Sequence, residues 1–89
     1  MSETGEPVTP KSWRVDEEYS TAQVAVLVGL RGKTARMTYL RYERGENDVP
    51  LEIVAQVEKL SGGKVTYRGW LAAQREYRAA HPRRERAAA

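Results

Sequence analysis

The sequence of 89 residues contains no cysteine, no phenylalanine and only one histidine. Without cysteine, the chain can form neither a disulfide nor a thiolate metal site. The histidine, His81, stands beside Pro82 near the end of the chain, so neither a nucleophile–base pair nor a histidine-based metal site can be assembled. Glu17 and Glu18 lack a basic or apolar setting that would tune either carboxylate for catalysis. We therefore expect no enzymatic activity, no small-molecule substrate, no cofactor and no metal site.

Long apolar runs are also missing. The first residues, MSETGEPVTPK, contain no apolar stretch, and no later segment is long enough to span a bilayer. A chain of this length supports one small domain with a modest core, built here from Val, Leu, Ile, Ala, Tyr and Trp. We expect a protein without a membrane partner, in the reducing cytoplasm of a bacterial host cell and associated with the nucleoid.

The net charge of +3 conceals four blocks of alternating sign. Residues 1–20 hold two basic and five acidic groups, whereas residues 21–44 hold five basic and one acidic. Residues 45–63 hold one basic and four acidic groups, and residues 64–89 hold seven basic and two acidic. Such blocks are typical of oriented faces, with the basic ones directed at phosphates. Ordinary solvated helix faces are the alternative interpretation.

Residues 21–44 predict two helices joined by a glycine turn. Thr21 is a plausible cap for the first helix. Val24, Ala25 and Val28 recur at helical intervals and predict one buried face. Gly29 can adopt the left-handed conformation that a sharp helix exit needs. A turn of three to four residues would bring the two helices close together, as a helix-turn-helix unit requires.

Residues 31–44 predict the second helix, which would carry most of the basic side chains of this stretch. Helices of this kind enter the DNA major groove with their N-terminal residues leading. An arginine can hold guanine through two hydrogen bonds, and a threonine methyl can contact thymine. We expect base-edge or nearby phosphate contacts from Arg31, Lys33, Thr34 and Arg36, and backbone phosphate contacts from Arg41 and Arg44. Gln23 on the first helix is expected to bind a phosphate, or else to be an ordinary exposed polar residue.

The sequence resembles the helix-turn-helix of the lambda repressor and Cro family over roughly residues 17–71. The residues that carry this resemblance are Val24, Ala25, Val28, Gly29, Leu30, Ala35, Tyr42-Glu43-Arg44-Gly45, Val49-Pro50 and Ser61-Gly62-Gly63-Lys64-Val65-Thr66. The resemblance implies an all-α, compact domain of four to five helices containing a helix-turn-helix. It also implies binding to double-stranded operator DNA, in the manner of a phage or prophage repressor.

The rest of the chain is divided by composition into flanking parts. Residues 1–12 predict a flexible arm, residues 13–66 the helix-turn-helix domain, and residues 82–89 a basic disordered tail. A short helix or turn is expected over residues 13–19, with core packing by Trp13, Val15 and Tyr19. A further helix is expected over residues 51–60, with a buried apolar stripe of Ile53, Val54, Val57 and Leu60.

An extended C-terminal helix is predicted for residues 67–81, with Thr66 as its cap. Its apolar side chains allow three roles: docking on the domain, pairing with a second subunit, or starting a linker. A homodimer through this helix would use Trp70, Leu71 and Tyr77.

The favoured function is a sequence-specific regulator that binds double-stranded DNA and inserts the helix of residues 31–44 in the major groove. One alternative is a protein-interaction module on the same scaffold, such as an antitoxin or a subunit of a larger complex. Another is an excisionase-like architectural protein that bends DNA. The cluster of exposed basic residues expected on the second helix favours DNA over protein.

Overall fold

Five α-helices and no strand make up residues 7–81, the part of the chain that the computed structural model describes. The helices are α1 (Pro10–Asp16), α2 (Thr21–Leu27), α3 (Ala35–Arg44), α4 (Leu51–Leu60) and α5 (Tyr67–Ala80). The prediction of an all-α domain with an extended C-terminal helix is confirmed. The first half of the predicted arm, residues 1–6, and the predicted basic tail, residues 82–89, lie outside the described residues.

Helix α1 begins within the segment that was predicted to be a flexible arm. Thr9 caps it, since its Oγ1 accepts a hydrogen bond from the Ser12 amide at 3.2 Å. Pro10 follows at the first helical position, where its missing N–H costs nothing, and is buried. The Val8 carbonyl lies where a Cβ on Gly69 of α5 would stand. The chain from residue 7 onward is therefore part of the packed domain.

Helix α2 begins with a capping box. The Ser20 hydroxyl accepts a hydrogen bond from the Gln23 amide at 3.0 Å, and the Gln23 side chain accepts one from the Ser20 amide at 2.7 Å. Ser20 is thus the cap, and the expectation for Thr21 was one residue late. Val24, Ala25 and Val28 are buried as predicted.

Helix α3 contacts α1, α2 and α5 and is the centre of the domain. Its Tyr39 is buried, and the ring meets that of Trp70 on α5 edge to face, with 6.3 Å between the ring centroids. Trp70 is buried as well. Helix α5 therefore docks on its own domain, which is one of the three roles that the sequence left open. The Trp70 ring fills the core and is not available to a second subunit. Leu71 and Tyr77 are half-buried.

Two apolar side chains that were expected in the core are exposed. Val15 lies two residues after buried Trp13, which places it about 200° around α1 and toward solvent. Leu60 is the last residue of α4, where the chain turns away through glycines. The core position after this turn belongs to fully buried Val65, whose amide donates a hydrogen bond to the Ser61 hydroxyl at 3.0 Å.

Within residues 7–81, no helix is long and apolar enough to cross a membrane.

Candidate nucleic-acid interface

The connection between α2 and α3 is longer than the predicted turn. It runs from residue 28 to residue 34, and α3 begins at Ala35 instead of at residue 31. Gly29 and Gly32 have φ angles of 91° and 93°, and a residue in that conformation cannot continue a right-handed helix. The Ala35 amide donates to the Gly32 carbonyl at 3.2 Å, which closes the turn that leads into α3. Only residues after Gly32 can therefore join the helix.

The later start moves three of the predicted DNA contacts off the helix. Arg31 and Lys33 lie on the connection, and Thr34 is the residue at the N-cap of α3. Arg36 lies on the helix, as expected, but in its first turn. The Thr34 hydroxyl makes no capping hydrogen bond, so it does not satisfy the first amide groups of α3. The predicted contacts from 31 to 36 consequently surround a helix N-terminus, which carries partial positive charge.

All of the predicted DNA-contacting side chains are exposed. They comprise one residue of α2, three of the connection and three of α3: Gln23, Arg31, Lys33, Thr34, Arg36, Arg41 and Arg44. The structure therefore leaves every one of them accessible to a large ligand.

The two sides of α3 have opposite composition. An α-helix turns about 100° per residue, which brings Arg41 and Arg44 to one side. Half-buried Leu40 lies between these arginines and Arg36, and half-buried Met37 lies between Arg44 and Arg41. The other side holds the residues that face the core or pack against it: Ala35, Tyr39, Tyr42 and Glu43.

Glu43 is the only acidic residue between positions 31 and 44, and it is turned into the domain, with 3% of its surface exposed. Arg14 of α1 holds its carboxylate with two hydrogen bonds, from Nε to Oε2 at 2.8 Å and from Nη2 to Oε1 at 3.0 Å. Arg14 Nη1 also donates to the Tyr19 carbonyl at 3.0 Å. The hydrogen bond to Glu43 raises the pKa of Arg14. The pair fastens α1 to α3 at two points.

This ion pair changes the charge that residues 31–44 present to a ligand. The carboxylate is withdrawn from the surface and neutralised by Arg14, which lies outside this stretch. The exposed surface of residues 31–44 therefore carries five basic side chains and no acidic one. The charge count from the sequence included the negative charge of Glu43. Its spacing of four residues from Tyr39 was the signal that it shares the core-facing side.

Two of the candidate contacts have partners of their own. Arg44 Nη2 lies 3.5 Å from Glu46 Oε1, and the Arg44 side chain is half exposed, so this ion pair is weak and salt-sensitive. The side-chain oxygen of Gln23, Oε1, accepts the hydrogen bond from the Ser20 amide in the capping box of α2. Its amide NH₂ is the end that can donate to a phosphate oxygen, and the capping box fixes where that group stands.

No cluster of three or more histidine, cysteine, aspartate or glutamate residues that could hold a metal ion occurs in the described part of the chain. Comparison of the chain with models of protein families, with curated proteins and with solved structures found no match. The resemblance to the lambda repressor and Cro family remains a prediction. The functional argument consequently depends on the surface of residues 31–44 and on what holds it in place.

Proposed function

We propose that this protein is a sequence-specific regulator that binds double-stranded DNA and places the start of α3 in the major groove. The observation that carries the proposal is the exposed surface of residues 31–44, with five basic side chains and no acidic one. A surface of this kind is the electrostatic footprint of a nucleic-acid-binding protein. A surface that only packs against protein has no need for so many exposed cations.

The residues around the start of α3 are assigned to the base edges. Arg36 is in the first helical turn, and Arg31 and Lys33 lie on the glycine-containing connection that precedes it. A bidentate arginine–guanine contact discriminates against other bases by about 1–3 kcal/mol. Thr34 offers a methyl group to thymine and a hydroxyl that no cap occupies.

The remaining candidates are assigned to the phosphates. Arg41 and Arg44 lie farther along the outward side of α3, and the Gln23 amide stands near the start of α2. Each phosphate that a basic side chain neutralises releases condensed counterions. It makes the plot of log binding constant against log salt concentration steeper by about 0.9, so that affinity falls faster with salt. These contacts position the protein on the duplex without reading its sequence.

A rigid support for α3 agrees with a role in base readout. The helix is fastened to α1 by the Arg14–Glu43 ion pair and to α5 by the contact of Tyr39 with Trp70. Specific hydrogen bonds to base edges need side chains held within a fraction of an ångström, and a helix packed on a core provides this better than a loop. This support applies to Arg36, which is on the helix. Binding of operator DNA in this way would exclude polymerase and repress transcription.

The test is selection of the purified protein on a pool of random-sequence duplex DNA, followed by titration of the selected duplex over a salt series. We expect one enriched sequence, an affinity that falls steeply with salt, and loss of preference at one or two base pairs in Arg36→Ala. Arg75→Ala is the matched control, because Arg75 is an exposed arginine on α5, outside the proposed interface.

Other outcomes would contradict the proposal. Salt-sensitive binding that enriches no sequence and bends the duplex strongly would indicate an architectural protein. Absence of DNA binding would favour the protein-interaction module. Equal effects of Arg36→Ala and Arg75→Ala would show that charge alone, and not the position of Arg36, determines binding.

A further inference from the structure

A second set of exposed cations, which the proposed function does not use, lies on the outer side of α5. Arg68, Arg75 and Arg78 are all exposed. Because an α-helix turns about 100° per residue, Arg68 and Arg75 lie within about 20° of each other, and Arg78 lies about 60° beyond Arg75. The sole acidic residue of this helix is Glu76. The outer side of α5 is therefore basic along most of its length.

Two of these arginines line an open groove. Arg68 and Arg75 lie in a groove of about 710 Å³ where α5 meets Pro7 and Thr9. Of the lining residues that the structure describes, Glu76 is the only acidic one. The sequence adds three arginines and one glutamate beyond residue 81, outside the described residues. Charge of one sign concentrated in a groove raises the local concentration of an oppositely charged ligand, which here is a polyanion.

The outer side of α5 faces away from the proposed DNA contacts. On the inner side of α5, the Trp70 ring meets Tyr39 on the inner side of α3, with 6.3 Å between the ring centroids. Arg68 lies about 200° around α5 from Trp70. Arg41 likewise lies about 200° around α3 from Tyr39. Because the two helices pack through their inner sides, these arginines point toward opposite sides of the domain, and a duplex on α3 leaves α5 accessible.

The spacing of the three arginines suits a nucleic-acid backbone. At about 1.5 Å per residue, Arg68 and Arg75 are about 10.5 Å apart along α5, and Arg78 is about 4.5 Å farther. Double-stranded DNA carries one negative charge per about 1.7 Å of its axis, so each cation meets a phosphate whatever the register of the duplex. An acidic protein segment would need carboxylates at matching positions. The spacing therefore favours DNA, bound through phosphates that carry no sequence information directly.

The domain keeps two bound duplexes apart. The smallest extent of its Cα atoms is 21 Å. The Debye length at physiological ionic strength is about 8 Å, so charges on opposite sides of the domain are largely screened from each other. A duplex bound to α3 therefore does little to repel a second duplex on α5.

We propose that the outer side of α5 is a second, sequence-independent DNA site, so that one chain bridges two duplexes. The inference rests on the proposed function, because α3 must hold the first duplex. It assigns Arg68, Arg75 and Arg78 to phosphates of the second duplex. With three phosphates neutralised, the plot of log binding constant against log salt concentration should have a slope of about −2.7 for the second duplex. The affinity for this duplex should therefore fall about fortyfold between about 50 and 200 mM salt.

The test is the capture of two duplexes on one bead. The selected duplex is immobilised and saturated with protein, and a fluorescent duplex that lacks the selected sequence is then titrated. Specific binding is typically about 10³–10⁷-fold tighter than non-specific binding, so α3 stays on the immobilised duplex. The beads should retain the fluorescent duplex only when the protein is present.

Arg75→Ala should separate the two sites. It should keep the affinity for the selected duplex and weaken retention of the fluorescent duplex about fifteenfold at about 50 mM salt, because one phosphate contact no longer releases counterions. Lys59→Ala is the matched control, since Lys59 is an exposed cation on α4, outside the α5 surface. It should retain both properties. Equal losses in the two variants would show that net charge alone determines retention, and would overturn the site.

Other results distinguish failure of this inference from failure of the proposed function. Sequence-specific binding without retention of a second duplex would overturn the α5 site and leave the regulator standing. Retention that is unchanged in Arg75→Ala would also overturn it, because two copies in contact would then hold the duplexes together. Retention of fluorescent polyglutamate, and not of the duplex, would assign α5 to an acidic protein and overturn its assignment to DNA. Absence of any selected sequence would overturn both proposals.

Discussion

The inward side of α3 carries one carboxylate, and the outward side carries three arginines, yet only the carboxylate has a close, buried partner. Glu43 is held by two hydrogen bonds of 2.8 and 3.0 Å from Arg14. On the outward side, the ion pair found within residues 7–81 is the 3.5 Å contact of Arg44 with Glu46. The same helix thus satisfies its buried charge within the domain and leaves its exposed charges to solvent or a ligand.

The difference shows why a formal charge count misjudges this surface. A charge removed from water must be paired, because desolvation costs several kcal/mol for each ion. A charge left in water needs no partner and gains little from one. The buried carboxylate therefore helps to hold α3 in place, whereas the exposed arginines are available to bind a ligand. Substitutions on the two sides should separate stability from DNA binding.

The largest loss of stability is expected from Arg14→Ala. This change leaves the Glu43 carboxylate buried without its cation, and breaking a buried pair costs about 3–5 kcal/mol. The Arg14 side chain is 14% exposed, so the lower end of this range is expected. Urea unfolding followed by circular dichroism measures the change.

The control for this prediction replaces both partners. Arg14→Met combined with Glu43→Met removes both charges and keeps two long side chains, and such replacements are often neutral or stabilising. The double variant should therefore be more stable than Arg14→Ala. If the double variant is less stable than Arg14→Ala, burying Glu43 without its cation costs less than we expect, and our account of the pair is wrong.

A smaller loss is expected from Gly45→Ala, at the C-terminal end of α3. Gly45 has a φ angle of 85°, and an added Cβ would stand 2.5 Å from the Ala73 carbonyl oxygen on α5. Strain and overlap together should cost about 2–3 kcal/mol in urea unfolding.

Gly29→Ala separates these two causes. Gly29 has a similar φ angle of 91°, but an added Cβ would meet no atom within 4 Å. Its cost should be about 1 kcal/mol, from the backbone conformation alone. Equal losses at the two glycines would show that the close approach of α3 to α5 at Gly45 contributes nothing.

On the outward side, Arg41→Ala should leave the free energy of unfolding unchanged within about 0.5 kcal/mol. It should lower DNA affinity for every sequence alike and reduce the salt slope by about 0.9. Arg44→Ala should have a smaller effect, because Glu46 already competes for that guanidinium. Fluorescence anisotropy over a salt series measures both. A change in base preference with either variant would contradict their assignment to phosphates.

Much of the fold was predictable because it follows from local periodicity. The spacing of Val24, Ala25 and Val28 identified the buried side of α2. Helix α5 begins directly after Thr66, as expected, although the Thr66 side chain makes no capping hydrogen bond. The exposed candidate contacts were found for the same reason, since basic residues that fall off the apolar stripe must face outward.

The remaining features depend on contacts between distant parts of the chain. Arg14 and Glu43 are 29 positions apart, so no local pattern pairs them. The later start of α3 follows from the positive φ angle of Gly32. The sequence alone does not show whether a glycine adopts this angle or lies inside a helix. Docking of Trp70 on Tyr39 likewise required knowledge of how α5 packs. Local sequence patterns therefore identified the helices, whereas contacts between distant parts of the chain determined which side chains of different helices pack together.

The smallest effect is expected from Tyr39→Phe, on the inward side. The Tyr39 hydroxyl is buried and has no hydrogen-bond partner among residues 7–81, so its removal at pH 7 should stabilise the domain slightly, by at most about 1 kcal/mol. Burial, followed by the nearby charge of Glu43, raises the pKa of Tyr39 above its ordinary value.

This shift makes the effect of Tyr39→Phe depend on pH. Because folded wild-type protein keeps the Tyr39 proton that the unfolded chain releases, the wild type has its full stability below about pH 10 and loses stability as pH rises further, at up to about 1.4 kcal/mol per pH unit. Tyr39→Phe should lose less stability than the wild type between pH 10 and 11 in urea unfolding. Tyr67→Phe, which removes a hydroxyl from a half-exposed ring, should behave like the wild type. Parallel losses in Tyr39→Phe and the wild type would mean that the buried hydroxyl titrates in the folded protein as it does in the unfolded chain.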